Sequence, residues 1–466
     1  MKRVLYSISL IIVLSLTLIG CSKEESSLLE VPSGSIIVHR AGDSGVTTFD
    51  SRNLTSLTPT SVPNGWSVDN IDMYKGTITV TSPASFDKEE VRSGQLHLKG
   101  YTPTGRTRGI SIYLAIAPEI NLVDAKANCF VATEPNNLYR FDPMTGGSST
   151  PLQTVELKLL WQTSSGLIKY LDMRDGGASF FIEEDKDNEG KVKPGNALIG
   201  AYNADGEIVW SWHVWVTKNA PENDVVTLNG ITMMNKNLGA EINSNGSTDG
   251  SVIYQSYGMY YQWGRKEPFV GPLAYNFPSN DDAMIVDTDG YRLALKYVES
   301  TAEQGSVQWA TANPMALIKG NKDNDYNWLY EGADDELWSA STKSEYDPCP
   351  AGWRMPASSL FANLTIKESA DAQKQYGWTL VDAENNEHFF TAQGRRNYLD
   401  CRLDIFNDDA TLPVPWSGYY WSATPDAAEA KALYFDIATS PEDVNALNTS
   451  RSMHRANAMP VRCVKE

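Results

Sequence analysis

Asn196-Ala197-Leu198-Ile199-Gly200-Ala201-Tyr202 and Glu207-Ile208-Val209-Trp210-Ser211-Trp212-His213-Val214-Trp215-Val216 flank the tetrapeptide Asn203-Ala204-Asp205-Gly206. Two runs of β-branched and aromatic residues around an Asp-Gly step predict a β-hairpin, because glycine supplies the positive φ that such a turn needs. Alternate residues of a strand face opposite sides, so Trp210, Trp212, Val214 and Val216 share one face and His213 and Trp215 the other. The first face is apolar throughout and predicts a buried core rather than a carbohydrate platform. His213 has no identifiable partner in the sequence and is read as structural.

Working outward, the segments upstream have the same character. Asn128-Cys129-Phe130-Val131-Ala132, Leu138-Tyr139-Arg140-Phe141 and Val155-Glu156-Leu157-Lys158-Leu159-Leu160-Trp161 predict further strands. With the hairpin they make a β-sandwich (Ig-like) domain over residues 118–217. Before it, Thr77-Ile78-Thr79-Val80-Thr81, Gln95-Leu96-His97-Leu98-Lys99 and Ile110-Ser111-Ile112-Tyr113-Leu114-Ala115-Ile116 alternate with period two between turn residues. They predict a first β-sandwich over residues 34–117. Pro63-Asn64-Gly65-Trp66 within it resembles the Bacteroidota sandwich modules found near lipoprotein anchors. Glu183-Glu184-Asp185-Lys186-Asp187-Asn188-Glu189-Gly190 imitates half of a calcium loop, but Asn196 stands where the bidentate Glu would be, so a solvated hairpin tip is expected and no metal.

The amino-terminal end bears on location. Lys2 and Arg3 precede an apolar run from Val4 to Ile19, closed by Leu18-Ile19-Gly20-Cys21. A short apolar segment with a basic start is an export signal rather than a spanning helix. Its end resembles a bacterial lipobox, which implies cleavage after residue 20 and lipidation of Cys21. Ser22-Lys23-Glu24-Glu25 resembles the surface-export tag of Bacteroidota lipoproteins, and residues 21–33 read as a tether. The expectation is an outer-membrane lipoprotein, held to the membrane by an N-terminal lipid anchor and exposed at the cell surface.

Composition excludes other classes. Against 39 basic residues stand 58 acidic ones, for a net charge of −19. That field repels phosphate backbones, so nucleic acid is not an expected partner. The five histidines are scattered singly and no CxxC is present, which argues against a metal or other cofactor. No Gly-x-Ser-x-Gly, His-Glu-x-x-His or P-loop offers a catalytic reading.

The carboxyl-terminal half carries ordered motifs: Met234-Asn235-Lys236-Asn237-Leu238-Gly239-Ala240, Tyr260-Tyr261-Gln262-Trp263-Gly264-Arg265-Lys266-Glu267-Pro268-Phe269, Asp347-Pro348-Cys349-Pro350-Ala351-Gly352-Trp353-Arg354-Met355-Pro356, Tyr420-Trp421-Ser422-Ala423 and Pro460-Val461-Arg462-Cys463-Val464. In that order they resemble the Fibrobacter succinogenes major paralogous domain, a family of bacterial envelope modules. The resemblance covers about half the chain. It implies an α+β, C-type-lectin-like or sulfatase-modifying-factor-like domain over residues 218–466, with helices expected near Asp281–Met284 and Ala370–Gln375. Four cysteines besides Cys21 allow three pairings, and spacing alone chooses none. The resemblance favours Cys349 with Cys463, leaving Cys129 and Cys401 unpaired. Gly264, Pro348, Gly352, Trp353, Pro356 and Trp421 are expected to be turn and core residues.

One stretch departs from this scaffold character, Arg395-Arg396-Asn397-Tyr398-Leu399-Asp400-Cys401-Arg402-Leu403-Asp404, continuing through Asp408 and Asp409. Its Arg395, Arg396, Tyr398, Asp400 and Asp404 are the candidate ligand-binding residues, since lectin-like folds meet ligands with the loops before their last strands. The function expected is a surface recognition or adhesion module for an extracellular glycan or protein. The alternatives are a fimbrial tip or accessory subunit, and an oxidase resembling the formylglycine-generating enzymes. The last needs two active-site cysteines close together, which a Cys349–Cys463 pair would deny.

Overall fold

The computed structural model describes residues 27–31, 34–85, 92–147, 150–174, 176–276, 285–404 and 415–466. The lipobox, Cys21, the acidic tag, the expected helix at Asp281–Met284, and Asp408 and Asp409 lie outside them. The described chain is mostly β-sheet, in sandwich-like pairs of sheets.

In the first sandwich, four strands run in the order Ser35–Val38, Thr107–Ile116, Ser93–Tyr101 and Ser56–Ser61. Facing them are Ser44–Thr48, Thr77–Thr81 and Ser67–Asp72. The period-two residues meet between the sheets: Ile78, Val80, Leu96, Leu98, Ile112 and Leu114 are buried around Trp66. Each such side chain contributes roughly 1.5–3 kcal/mol by leaving water. Trp66 is set by the turn before it, where Trp66 N–H donates to the Pro63 carbonyl and Gly65 takes φ 79°. A Cβ at Gly65 would also lie 3.0 Å from the Pro83 ring, so glycine answers two demands there.

The second sandwich joins the first across Ala117 and Pro118 through a small apolar joint of Ile37, Ala115 and Ala117 against Leu138, Tyr170 and Phe181. The expected hairpin forms from Gly195–Tyr202 and Ile208–Val216, with Gly206 at φ 78°. Trp210, Trp212, Val214 and Val216 lie in the sandwich core with Phe130, Phe141 and Phe180.

The opposite face of the same strand turns out to be just as dry. Trp215, Trp161, Leu198 and Cys129 belong to a second core, shared with Tyr261, Trp263, Trp353 and Trp421 of the carboxyl-terminal part. The sheet itself crosses the expected boundary. Its order is Cys129–Ala132, Ile208–Val216, Gly195–Tyr202, Glu156–Gln162, Ile285–Val286 and Arg292–Leu293, and the last two strands lie well past residue 217. Residue 217 therefore divides the chain by sequence, while packing runs straight across it.

Beyond 217 most strands are short and the loops long, apart from three strands between 417 and 454. Val225–Leu228, Ile231–Met234, Val464–Lys465 and Trp353–Arg354 form one sheet that joins both ends of this region. Ser417–Asp426, Glu429–Asp436 and Leu447–His454 form another. The helices are brief. Gly250–Gln255 starts where the Asp249 carboxylate accepts from the Ser251 and Val252 N–H groups, and Val307–Ala312 starts on the Ser306 hydroxyl. Ala372–Gln375 lies within the segment expected to be helical. The first two helices were not legible, since a single turn and a half is too short to show a 3.6-residue period.

Candidate recognition site

The ordered motifs of the carboxyl-terminal half meet one another. Trp421 Nε1 donates to the Tyr261 carbonyl at 2.9 Å, and Trp263 Nε1 to the Ser422 carbonyl at 2.9 Å. Arg462 Nε donates to Asn237 Oδ1 at 2.8 Å, and Asn237 Nδ2 to Gln393 Oε1 at 2.6 Å. Asp347 is fully buried; its carboxylate accepts from the Cys349 and Met355 N–H groups and from Lys343 Nζ. Cys349 and Cys463 are joined by a disulfide, and Cys129 and Cys401 are buried free thiols. These residues hold loops in place. Their side chains are spent on the scaffold.

The loop from Arg395 is placed unevenly. Arg395 Nε and Nη2 donate to Asp404 Oδ2 at 2.9 and 2.7 Å, and the guanidinium lies 4.9 Å from the centre of the Tyr419 ring. Arg396 points the other way and is wholly buried. Its Nε and Nη2 donate to the Val270 carbonyl at 2.9 and 2.7 Å, and its Nη1 to the Cys401 carbonyl at 3.2 Å. Arg396, expected to face a ligand, is thus a core residue pinning the loop, because adjacent residues of an extended segment point to opposite sides. Asp400 accepts from the Arg402 N–H at 3.0 Å. Tyr398 is half-buried between Tyr326 and His454, with ring centres 4.8 and 4.4 Å away. The structure brings Arg395 and Asp404 together, bonded to each other, and leaves Tyr398 and Asp400 as the loop's partly open members.

The acidic stretch Glu183–Gly190 is occupied by its own donors. Asp185 accepts from Asn188 Nδ2 and the Asp187 N–H, Glu184 from the Gly190 N–H, and Glu183 pairs with Lys169 at 3.4 Å.

A site that sequence reasoning missed opens at the seam between the second sandwich and the carboxyl-terminal part. A mainly apolar cleft of about 420 Å³ is lined by Thr163, Ser164, Lys193 and Asn196 on one side and by Glu241, Tyr254, Tyr257, Met259 and Leu273 on the other. The Tyr254 hydroxyl donates to the Pro272 carbonyl and the Tyr257 hydroxyl to the Tyr275 carbonyl, which fixes both rings, and Tyr254 remains 42% exposed. A concave apolar wall with a few placed polar groups is the usual form of a binding site. No local signal announces it, since its residues come from segments far apart in the chain.

Behind the cleft wall, His213 bridges the two parts. Asn196 Nδ2 donates to the Gly239 carbonyl, so Asn196 Oδ1 faces His213 Nε2 at 2.8 Å. Nε2 then carries the hydrogen, and Nδ1 accepts from the Tyr261 hydroxyl at 3.2 Å. Burial drives the His213 pKa down to about 3. The folded protein holds this ring neutral while the unfolded chain protonates it, so its contribution is intact above the ordinary value of about 6.5 and is lost as pH falls towards 3. Between pH 6.5 and 5 this should cost about 2 kcal/mol. A His213→Gln variant should show a shallower fall in melting temperature over that window than the parent. Parallel curves would mean that His213 is not the group being protonated.

No family model matches the chain, and no curated protein matches it. Among solved structures it is similar to the D00-D0 domain of Intimin, at 11% identity, covering 41% of this chain and 96% of that one, with a TM-score of 0.18. It is similar to mouse clustered PcdhgC3 EC1-3, at 14% identity over 41% of this chain and 67% of that one, with a TM-score of 0.15. A third likeness is to the Bacteroides ovatus mixed-linkage glucan utilization locus SGBP-B in complex with a mixed-linkage heptasaccharide, at 12% identity over 39% of this chain and 42% of that one, with a TM-score of 0.13. At such scores none of these likenesses carries an argument about this chain.

Proposed function

We propose that this chain is a surface-anchored lipoprotein acting as a recognition or adhesion module for an extracellular glycan or protein. In this reading residues 218–466 form the C-type-lectin-like head of the major paralogous type, and Cys21 carries the lipid. The observation that carries it is the seam. The second sandwich and the head share one core, and that rigid joint opens outward in a tyrosine-lined cleft. Binding residues are effective when a stiff frame holds them.

The cysteines speak against the oxidase alternative. Cys463 is committed to Cys349, and burial pushes the Cys401 thiol up to about 12, away from the thiolate that oxidase chemistry needs.

Two measurements test the reading. Cys21→Ala should abolish lipid labelling and move the protein from the membrane to the soluble fraction, and changing Lys23, Glu24 and Glu25 to alanine should reduce its protease accessibility on intact cells. A glycan array and a pull-down from host and bacterial surfaces, run with the lipid-free chain, should yield a partner whose binding weakens at least tenfold in Tyr254→Ala. Melting should stay nearly unchanged, as a half-exposed substitution costs little. If Tyr398→Ala weakens binding and Tyr254→Ala does not, recognition belongs to the loop and not the cleft.

One observation favours the fimbrial reading as the second. Ser35–Val38 is buried, pairs in parallel with Tyr113–Ile116, and is followed after His39 by exposed Arg40. Cleavage there would free the strand and open a groove in the first sandwich. An Arg-specific protease that cuts at Arg40 and leaves polymers would support this reading; a chain that stays monomeric after that cut would dismiss it.

A further inference from the structure

The strand Glu156–Gln162 is covered on one side along its whole length, from Glu156 opposite Tyr202 to Gln162 opposite Ala197. On its other side, among the described residues, it is paired at one point only, Gln162 opposite Val286. The short hairpin Ile285–Leu293 thus caps one end of an edge and leaves Glu156–Leu160 open. Glu156 to Leu159 of that open part line a cleft of about 500 Å³ between the two sandwiches, walled also by residues 168–172, with Val46 on one flank and Thr288, at the hairpin tip, on another.

An open edge offers a row of backbone N–H and C=O groups, and an extended peptide can pair with it as an added strand. The side chains along this edge state what such a peptide should carry. Leu157 and Leu159 pack onto the sandwich core, while Glu156 and Lys158 stand outside it, 55% and 51% exposed and 3.0 Å apart. An exposed ion pair of this kind contributes little by itself and is readily exchanged for cross-strand partners.

We propose that this edge binds an extended segment of a partner protein by antiparallel strand addition, with a basic residue opposite Glu156 and an acidic residue opposite Lys158. The pairing continues a line that Ile285–Val286 already occupies at Gln162. The chain's own Val155-Glu156-Leu157-Lys158-Leu159 meets the requirement: laid antiparallel to itself about Leu157, it sets Glu156 against Lys158 and Leu159 against Val155. A second copy is therefore the rival occupant. The recessed position of the edge, flanked from both sides, suits a single strand better than the edge of another folded chain.

The test uses the full chain and a synthetic peptide with the sequence from Gln153 to Trp161. Hydrogen exchange should show at least tenfold slower exchange at amides within 156–160 when the peptide is present. Lys158→Glu should weaken binding at least fivefold, and a peptide with its glutamate changed to lysine should restore it. Both positions are exposed, so melting temperature serves as the folding control. Charges and a register slip, such as the one between Leu159 and Trp161, are also how proteins keep edges unpaired. Absent protection, or binding indifferent to the charge exchange, would give them that role and overturn the proposal. Protection of the same amides by concentration alone, with a dimer in ultracentrifugation, would overturn it in favour of the second copy.

Discussion

Cys463→Ser is expected to lower the unfolding free energy of the carboxyl-terminal part by about 4 to 5 kcal/mol. The bond between Cys349 and Cys463 closes a loop across a separation of 114 residues. In the chain-entropy account a cross-link that long removes about this much freedom from the unfolded chain. Outside the sheet of Ser417–Asp426, Glu429–Asp436 and Leu447–His454, regular structure offers this region little else, because its other strands are short. The bond also ties the Asp347 turn to the final strand, Val464–Lys465, which pairs with Met233 on one side and Trp353–Arg354 on the other. Denaturant unfolding followed by tryptophan fluorescence reads the loss, and peptide mapping without reduction reads the linkage. Only after denaturation should Cys129 and Cys401 react with an alkylating agent. A loss below about 1 kcal/mol would show that the shared core, rather than the cross-link, holds the carboxyl-terminal part together.

Glu267→Gln is expected to cost about 3 to 5 kcal/mol, because it leaves two buried cations without their counter-charge. Glu267 is almost fully buried and accepts from Arg265 Nε at 3.0 Å and Lys266 Nζ at 2.9 Å. Burial alone would raise its pKa, but the two cations outweigh it and hold the carboxyl below its ordinary value. Its contribution is therefore present above the ordinary glutamate range and lost as pH falls below it, so parent and variant should converge in acid. Lys266 carries the effect across the seam, since its Nζ also donates to the Ser211 hydroxyl at 2.7 Å and to the Ser211 carbonyl at 3.0 Å. An internal comparison is Glu387→Gln, which breaks an exposed pair with Lys367 and should cost under about 1 kcal/mol. Equal losses at the two sites would mean that water reaches the buried group.

Particular residues show which features were legible. The hairpin around Asp205-Gly206 and the apolar face of Trp210, Trp212, Val214 and Val216 follow from a two-residue period and one turn, both local properties. Alternation alone sets His213 on the face opposite Trp210 and Trp212, yet its partners Asn196 and Tyr261 lie 17 and 48 residues away, beyond the reach of any local pattern. Arg395 and Arg396 looked alike in sequence. Only their opposite directions along an extended segment made one a half-buried partner of Asp404 and the other a core anchor.

By itself, then, the sequence determined the strand-rich character of the two sandwiches between residues 34 and 217, the faces of those strands, and the glycine turns between them. These rest on short-range sterics and alternation, which act within a few residues. Only the tertiary structure decided that the strand Ile208–Val216 is dry on both faces, that a hairpin from beyond residue 217 extends its sheet, and that a tyrosine-lined cleft lies along the seam. Each of these depends on segments that lie far apart in the chain. Burial there is set by the shape of the opposing surface, and no local pattern of residue types encodes that shape.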